Sequence, residues 1–379
     1  MRFQGSLAVA ALVAGAALAQ TERLDPAAFA QEISREELEK HALQLNAIAK
    51  ANFGNRGFGT PGYLESRDYR GGCVISEKLT LAKRHGAVAV VVYNQSPREA
   101  AATAGSDDIG KQLPGGLLGV GVGHDVGREW SRRLGAGETF PVAIVIDHND
   151  GEVVSWNIMA ESKSGDPDNV VMLGAHLDSV QSGPGVNDDG SGTSALLDIM
   201  AKLCHHRGFK NKVRFAWWGA EELGLVGSNY YASQLGEADA DRIRFYFNYD
   251  MIGSPSPNWT VYANTDADRF GARHLYGVMS QSYSNVSMSK FAANSDYVAF
   301  RNLGIPASGI FSGADAVADP CYHQACDDRQ NINLDATLVA ARAAAFAMAE
   351  LANGLEGLPV RDRKRPSHGQ GGKSLRFVT

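Results

Sequence analysis

The segment VVMLGAHLDSV, Val170 to Val180, constrains the fold more than any other stretch of the chain. Val170, Val171, Met172 and Leu173 form an apolar run with no helical period and high strand propensity, which reads as a buried strand. The run delivers His176 and Asp178, at alternate positions, to the C-terminal end of that strand. In open α/β sheets that end is where ligands sit. An HxD pair after a strand is more often structural than functional, so chemistry at this point requires partners from other loops.

Downstream and upstream of this strand, strands and helices alternate from Val154 to Leu355. The patterns predict strands at Val154–Ala160, Val170–Ala175, Val213–Trp218, Phe245–Tyr249, Thr260–Ala263 and Ala307–Phe311. They predict helices at Thr193–His205, Ser228–Leu235, Asp266–Tyr283, Ser295–Leu303 and Asp335–Asn353. The fold class expected is therefore α/β, one domain with a mostly parallel sheet flanked by helices. A further helix is expected at Ser34–Ala51, with Ser34 and Glu37 as a capping box and Leu38, Ala42, Leu45 and Ile48 on its apolar face. After it come a Gly-rich loop, Asn52 to Gly62, and a candidate helix start at Tyr63–Tyr69. A smaller α/β-like unit comes next, with a helix at Lys78–His85 and strands at Ala87–Tyr93, Leu117–Val122 and Val142–Ile146. Asp147 to Gly151 reads as a polar hinge.

The first residues read as a secretory signal. Arg2 is the positive start, and Ser6 to Leu18 is an apolar run shorter than the roughly 20 residues a spanning helix needs. Ala17-Leu18-Ala19 is an A-x-A cleavage pattern, which puts the mature start at Gln20. Later stretches are not apolar enough to span a membrane. The net charge of −6 and the lack of a basic stripe give no reason to expect nucleic acid or an anionic membrane as partner. Secretion permits disulfides among Cys73, Cys204, Cys321 and Cys326. Asn94, Asn258 and Asn285 stand in N-x-S/T acceptor sequences for glycans.

Five places offer metal ligands or acid–base groups, most of them just after strands. They are His176 with Asp178; the glycine-flanked turn containing Asp188 and Asp189; Glu221-Glu222 after WWGA; Asp250 after FYFNY; and His323 inside CYHQAC. Each has a bland reading: a turn, a solvated helix start, a cap. All five in the loops of one α/β domain are hard to explain that way. A mononuclear site needs three or four ligands, and this inventory fills two sites that share one carboxylate. Histidine nitrogen with carboxylate oxygen suits zinc. Two such ions about 3.5–4 Å apart lower the pKa of a shared water towards about 7. Glu221, beside the ligand Glu222, is then free to act as general base.

GAHLDSV, GVNDDGSG, WWGAEELGLVGS, NYDMIGS, SDYVAF and CYHQACD, in that order, resemble the secreted di-zinc aminopeptidases of the aminopeptidase Y and bacterial leucine aminopeptidase type. The likeness covers nearly all of Val154 to Asn353. It implies a zinc-exopeptidase (phosphorylase/hydrolase-like) fold and two Zn2+ per chain. His176 and Asp250 would bind one zinc, Glu222 and His323 the other, and Asp188 would bridge them. Glu221 would be the general base, and Asp178 would orient His176. Tyr322 would hydrogen-bond the carbonyl oxygen as it becomes an oxyanion. The resemblance also implies a Cys321–Cys326 disulfide that fixes the direction of Tyr322 and His323.

Gly71 to Asn94 is similar to the second half of a protease-associated domain, a lid that such peptidases often carry. Here the chain departs from the pattern. GTPGYLESRDYR runs straight into GGC, and the lid looks truncated at its first strands, which leaves Cys73 without its usual partner. Cys204 reads as a buried thiol on a helix face. The organisation expected is a signal peptide at 1–19, a lead-in or propeptide remnant at 20–33, and the N-terminal helical part of the catalytic domain at 34–70. A partial protease-associated domain at 71–148, the zinc peptidase domain at 149–357 and a disordered basic tail at 358–379 complete it. A second departure is Asn294, where relatives often have the arginine of a GRSD-like sequence.

These readings describe a secreted, monomeric metallo-exopeptidase acting on peptides with a free N-terminus. Two alternatives stay open. One is a carboxypeptidase or aminoacylase on the same fold, which would need a basic pocket for the substrate carboxylate. The other is a non-catalytic binding ectodomain.

Overall fold

The computed structural model describes residues 23–52, 54–57, 63, 66, 89–93, 118–122, 124–139 and 155–363. The signal segment, Cys73, Asn94, the helices expected at Lys78–His85 and Tyr63–Tyr69, the strand expected at Val142–Ile146 and the hinge at Asp147 to Gly151 lie outside this set or almost wholly so.

Seven strands build one sheet: β3 (Ile158–Glu161), β4 (Asp166–His176), β5 (Asn211–Trp218), β6 (Ile243–Tyr249), β7 (Thr260–Tyr262), β8 (Ser287–Ser289) and β9 (Ala307–Phe311). Their spatial order is β3-β5-β4-β6-β9-β7-β8. The four central strands β5, β4, β6 and β9 run parallel, and β3 and β7 join them antiparallel. The VVMLGAH strand is thus interior, paired on both sides, with His176 in register with Trp218 of β5 and Leu173 with Phe247 of β6. Burial on both faces is why it reads as an unbroken apolar run. Parallel alignment also brings the C-terminal ends of β4, β5, β6 and β9 to one edge of the sheet, where the site lies.

The two faces of the sheet are covered by different chemistry. On one, α9 (Leu334–Asn353) packs alanine after alanine against the strands, with Ala340, Ala341, Ala344 and Ala345 fully buried. A helix this rich in apolar residues is largely buried, and alanine gives it the highest intrinsic propensity. Asn333 caps it by accepting from the Ala336 N–H. On the other face Trp218, Tyr246 and Phe300 form an aromatic cluster, Tyr246 and Phe300 stacked with centroids 3.8 Å apart.

The structure corrects several expectations. Residues 24–33, read as a loose lead-in, are part of the core: α1 (Pro26–Glu32) is capped by Asp25, and Leu24, Phe29 and Ile33 are buried. So short a helix cannot show a period, so the sequence pattern passed over it. At the other end, residues 358–363 are docked and not a free tail. Leu358 is buried in the core, and the buried Arg361 guanidinium donates to Asp241 at 2.7 Å and to the Leu303 carbonyl at 2.8 Å. Cys204 is a free, exposed thiol and not a buried one. It ends α4 (Gly190–Leu203), just past the buried positions Leu196, Ile199 and Leu203 that face the sheet.

Short elements were also missed: α3 (His124–Gly135), α6 (Glu237–Arg242) and β8. The helix expected from Ser34 is α2 (Arg35–Ala51), with Ser34 accepting from the Glu37 N–H. In the smaller unit, β1 (Ala89–Tyr93) pairs in parallel with β2 (Leu118–Val122). Among the described residues no helix is long and apolar enough to cross a membrane.

Candidate metal centre

His176 stands on the last residue of β4, and Asp250 on the first residue after β6. Strand pairing therefore sets both. His176 Nε2 lies 3.5 Å from Asp250 Oδ1 and 3.2 Å from Asp188 Oδ1. The other oxygen of Asp188 lies 3.0 Å from His323 Nε2, which is itself 3.3 Å from Glu222 Oε1. One carboxylate thus stands between two imidazoles, and each imidazole has a second carboxylate beside it. Glu221 joins His176 and Asp250 in a cluster of close donor atoms, as Glu222 joins His176 and Asp188.

The loops that carry these groups are held by bonds reaching back to the sheet. Asp189 Oδ2 accepts from the His176 N–H and Oδ1 from the N–H groups of Gly192 and Met251, at 2.9–3.2 Å. It caps α4 and ties the ends of β4 and β6 together. Asp327 accepts from the backbone N–H groups of Asn187 and Asp188 at 2.9 and 3.0 Å. Asp319, buried beside it, accepts from Asn187 Nδ2 and from the Cys321 N–H. Ser295 Oγ donates to Asp250 Oδ2 at 2.6 Å. Cys321 and Cys326 form a disulfide, and Tyr322 lies over the His323 ring with centroids 3.6 Å apart.

Asp178 has a different arrangement from the simple orienting role. Its carboxylate accepts from the backbone N–H groups of Glu221 at 3.1 Å and Glu222 at 3.4 Å. His176 Nδ1 is 3.1 Å from the Asp178 carbonyl oxygen and 3.7 Å from its carboxylate. Asp178 therefore anchors the Glu221-Glu222 turn as well as facing His176.

Several loops that carry these groups hold a non-glycine residue in the left-handed region. Ala220 (φ 57°) precedes Glu221, Met251 (φ 51°) follows Asp250, and His323 itself has φ 59°. Each such residue costs about 1–3 kcal/mol and persists only where its surroundings enforce it. Asp178, Asp189 and Asp319 enforce it by gripping the backbone N–H groups of Glu221, Met251 and Cys321.

Electrostatically the site is an excess of buried anions. Burial pushes the Glu221, Glu222, Asp178 and Asp189 carboxyls well above the ordinary carboxylate range. Burial also opposes ionisation of Asp188, but His176 and His323 outweigh it and hold that carboxyl below its usual value. For His176, burial favours the neutral ring, and the charges of Asp250 and Glu221 overcome it and raise its pKa. Asp188 Oδ2 and Glu222 Oε1 are buried and make no hydrogen bond. Buried, unsatisfied carboxylate oxygens are costly. Cations held among these nitrogens and oxygens would satisfy them, so the residues present fit a pair of metal ions.

Sequence reasoning quoted Asp189 and Asp327 inside motifs without giving either a role, and it passed over Arg56. Asp189 had a local signal, an acidic residue just before a helix. Asp327 had none. Arg56 comes from the Gly-rich loop, is fully buried, and donates to the carbonyls of Leu177, Pro184 and Gly185. It pins the loop that joins His176 to Asp188. Burial lowers its pKa to about 10, against the raising pull of Asp178 and Asp327, so it stays charged at neutral pH. Asn258 and Asn285, in the N-x-S/T sequences, are exposed, and Asn285 Nδ2 donates to the Pro257 carbonyl at 2.8 Å.

The pocket over the site opens to solvent and is lined by ten residues, among them Glu221, Asp250, Met251, Asn294, Phe311 and Tyr322. None of the ten is lysine or arginine.

Residues 157–348 match the model of peptidase family M28, and residues 66–130 match that of the PA domain. The chain is similar to aminopeptidase Y of Saccharomyces cerevisiae, 38% identical over 78% of this chain and 57% of that protein. It is 35% identical to the probable leucine aminopeptidase 2 of Aspergillus oryzae, over 79% of this chain and 64% of that one. The chain thus spans about three fifths of the length of these relatives. Among solved structures, BSAP, a zinc aminopeptidase from Bacillus subtilis, superposes with a TM-score of 0.58 at 24% identity, covering 79% of this chain and 70% of that one. That likeness supports the fold.

Proposed function

The chain belongs to peptidase family M28, and on that premise we propose that it is a secreted aminopeptidase that holds two zinc ions and removes N-terminal residues from peptides. The observation that carries the reading is Asp188, set between His176 and His323 at 3.2 and 3.0 Å, with Asp250 and Glu222 completing the two halves. That arrangement spends His176, Asp188, Glu222, Asp250 and His323 as ligands and leaves Glu221 over. Zinc bound there supplies a Lewis acid for the scissile carbonyl and makes water acidic enough to ionise near neutral pH.

The chain's own groups do the rest. Glu221, buried beside the ligands, takes the proton of the attacking water and passes it to the leaving amine. Its position is fixed from behind, because Asp178 holds its backbone N–H. The Tyr322 hydroxyl, which burial keeps protonated, donates to the carbonyl oxygen as negative charge develops there. The substrate's ammonium group meets a pocket lined by four carboxylates, those of Asp188, Glu221, Glu222 and Asp250. The absence of a basic residue in that lining favours an amino end over a carboxyl end, and so an aminopeptidase over a carboxypeptidase. The complete ligand set argues against a pure binding module. Secretion, from the signal-like residues 1–19, is part of the same proposal, as is action as a monomer.

The test is hydrolysis of leucyl peptides by the purified full chain, with free and N-acetylated amino ends, before and after a chelator. The free-ended peptide should be cleaved, the acetylated one should not, and activity should vanish with the chelator and return with zinc. Preferential cleavage of blocked peptides, or activity indifferent to the chelator, would overturn the reading.

A further inference from the structure

Of the ten residues that line the pocket, Asn294 alone is exposed. An exopeptidase pocket is closed at one end. The substrate's amino end sits inside it, and the chain leaves through the mouth. A side chain at the mouth therefore meets the second residue of the substrate, not the first.

The polar lining is otherwise carboxylates and His176, and its neutral polar groups are the Tyr322 hydroxyl and the Asn294 amide. Tyr297, buried at 1% exposure, donates its O–H to Asn294 Oδ1 at 2.5 Å. Burial raises the Tyr297 pKa, so the group stays an O–H donor. Oδ1 is then committed, and the amide nitrogen is left as the donor. The carboxylates of Glu221 and Asp250 in the same pocket favour that orientation, because they attract N–H and repel a carbonyl oxygen.

The geometry points to Asn294 as a specificity-determining residue whose Nδ2 donates a hydrogen bond to the carbonyl of the substrate's second residue, with Tyr297 fixing the amide's direction. The substrate class it favours is peptides continuing past the cleaved bond, over aminoacyl arylamides that end there. The inference rests on the aminopeptidase reading. A neutral donor at the mouth selects for a peptide carbonyl without requiring a charged end.

The experiment compares kcat/KM for the tripeptide Leu-Gly-Gly with that for leucine β-naphthylamide, which has no second carbonyl. Asn294→Ala and Asn294→Asp should each lower the peptide-to-arylamide ratio about 3–10-fold, the worth of one neutral hydrogen bond. The aspartate variant keeps the acceptor for Tyr297 and exchanges the donor for a charged acceptor, and the alanine variant removes the donor without adding charge. Tyr297→Phe should lower the ratio in the same direction and by less. A ratio that stays at the wild-type value in both Asn294 variants, with both substrates slowed alike, would overturn the proposal. A wild-type chain that cleaves neither substrate would instead sink the aminopeptidase reading, and this inference with it.

Discussion

The two halves of the metal centre are built differently. His176 and Asp250 sit at the ends of β4 and β6, adjacent strands that pair in unbroken register from Val171 to Gly174. Glu222 and His323 sit in loops, the second between the disulfide cysteines and in the left-handed region. The strand half inherits its precision from the sheet ladder, to which Asp189 adds bonds to the His176 and Met251 N–H groups and Ser295 a bond to Asp250. The loop half has to be assembled from the disulfide, from Asp319 and Asp327, and from Asp178 under the glutamate turn. Asp188 belongs to both. A sheet edge offers only a few strand ends, so the remaining ligands of a two-ion site come from loops, and those loops have to be pinned.

The largest expected effect sets both halves aside. Glu221→Gln should cut turnover by about 10²–10⁴-fold while the zinc content of the purified protein stays at the wild-type value. Loss of zinc in that variant would make Glu221 a ligand and dissolve the division of labour.

Next in size, replacing Cys321 and Cys326 together by serine should weaken the zinc bound at the loop half by about 10–100-fold, the usual cost of losing support behind a ligand. Titration against a chromogenic chelator, which resolves two constants, is the check. The strand-half constant should move much less, and equal losses in both would erase the distinction between the halves.

The smallest effect on metal binding is expected deep under the strand half. Tyr246 O–H accepts from Trp218 Nε1 and donates to Asn248 Oδ1, both at 2.9 Å. Tyr246→Phe leaves two buried groups without a partner and should cost about 1–3 kcal/mol of stability in chemical denaturation. Neither zinc constant should change measurably, because the ladder around β6 remains.

Much of this was legible in the residues. β4 carries an unbroken apolar run from Val170 to Leu173, β5 and β6 are mostly apolar towards their C-terminal ends, and the polar residues that follow these strands are the ones that meet. His176, Asp188, Glu221, Glu222 and Asp250 could each be named from the pattern in which they follow strands or stand in a glycine-flanked turn, whereas His323 stood out only inside CYHQAC and took its role from the family resemblance. What stayed hidden had no local signal. Arg56 is one charged residue in a Gly-rich stretch, yet it closes the loop between His176 and Asp188 with three backbone bonds. Asp327 looks like an ordinary surface aspartate, but it is fully buried, and burial with Asp319 nearby raises its pKa to about 7. Leu24, Phe29 and Ile33 are too few to show a period, and only their packing against the sheet domain reveals them as core.

The sequence by itself determined the α/β class, the central parallel strands and the kinds of groups brought to their ends, because hydrophobic period and strand propensity are local properties of the chain. The tertiary structure decided which oxygen of Asp188 faces which imidazole, that Asp178 grips the glutamate turn, and that Asn294 stands at the pocket mouth with its carbonyl oxygen engaged. The first two depend on side chains from a dozen to more than a hundred residues apart meeting within about 3 Å, the third on how Tyr297 packs in the core three residues from Asn294, and a hydrogen bond is sensitive to distance and angle on that scale.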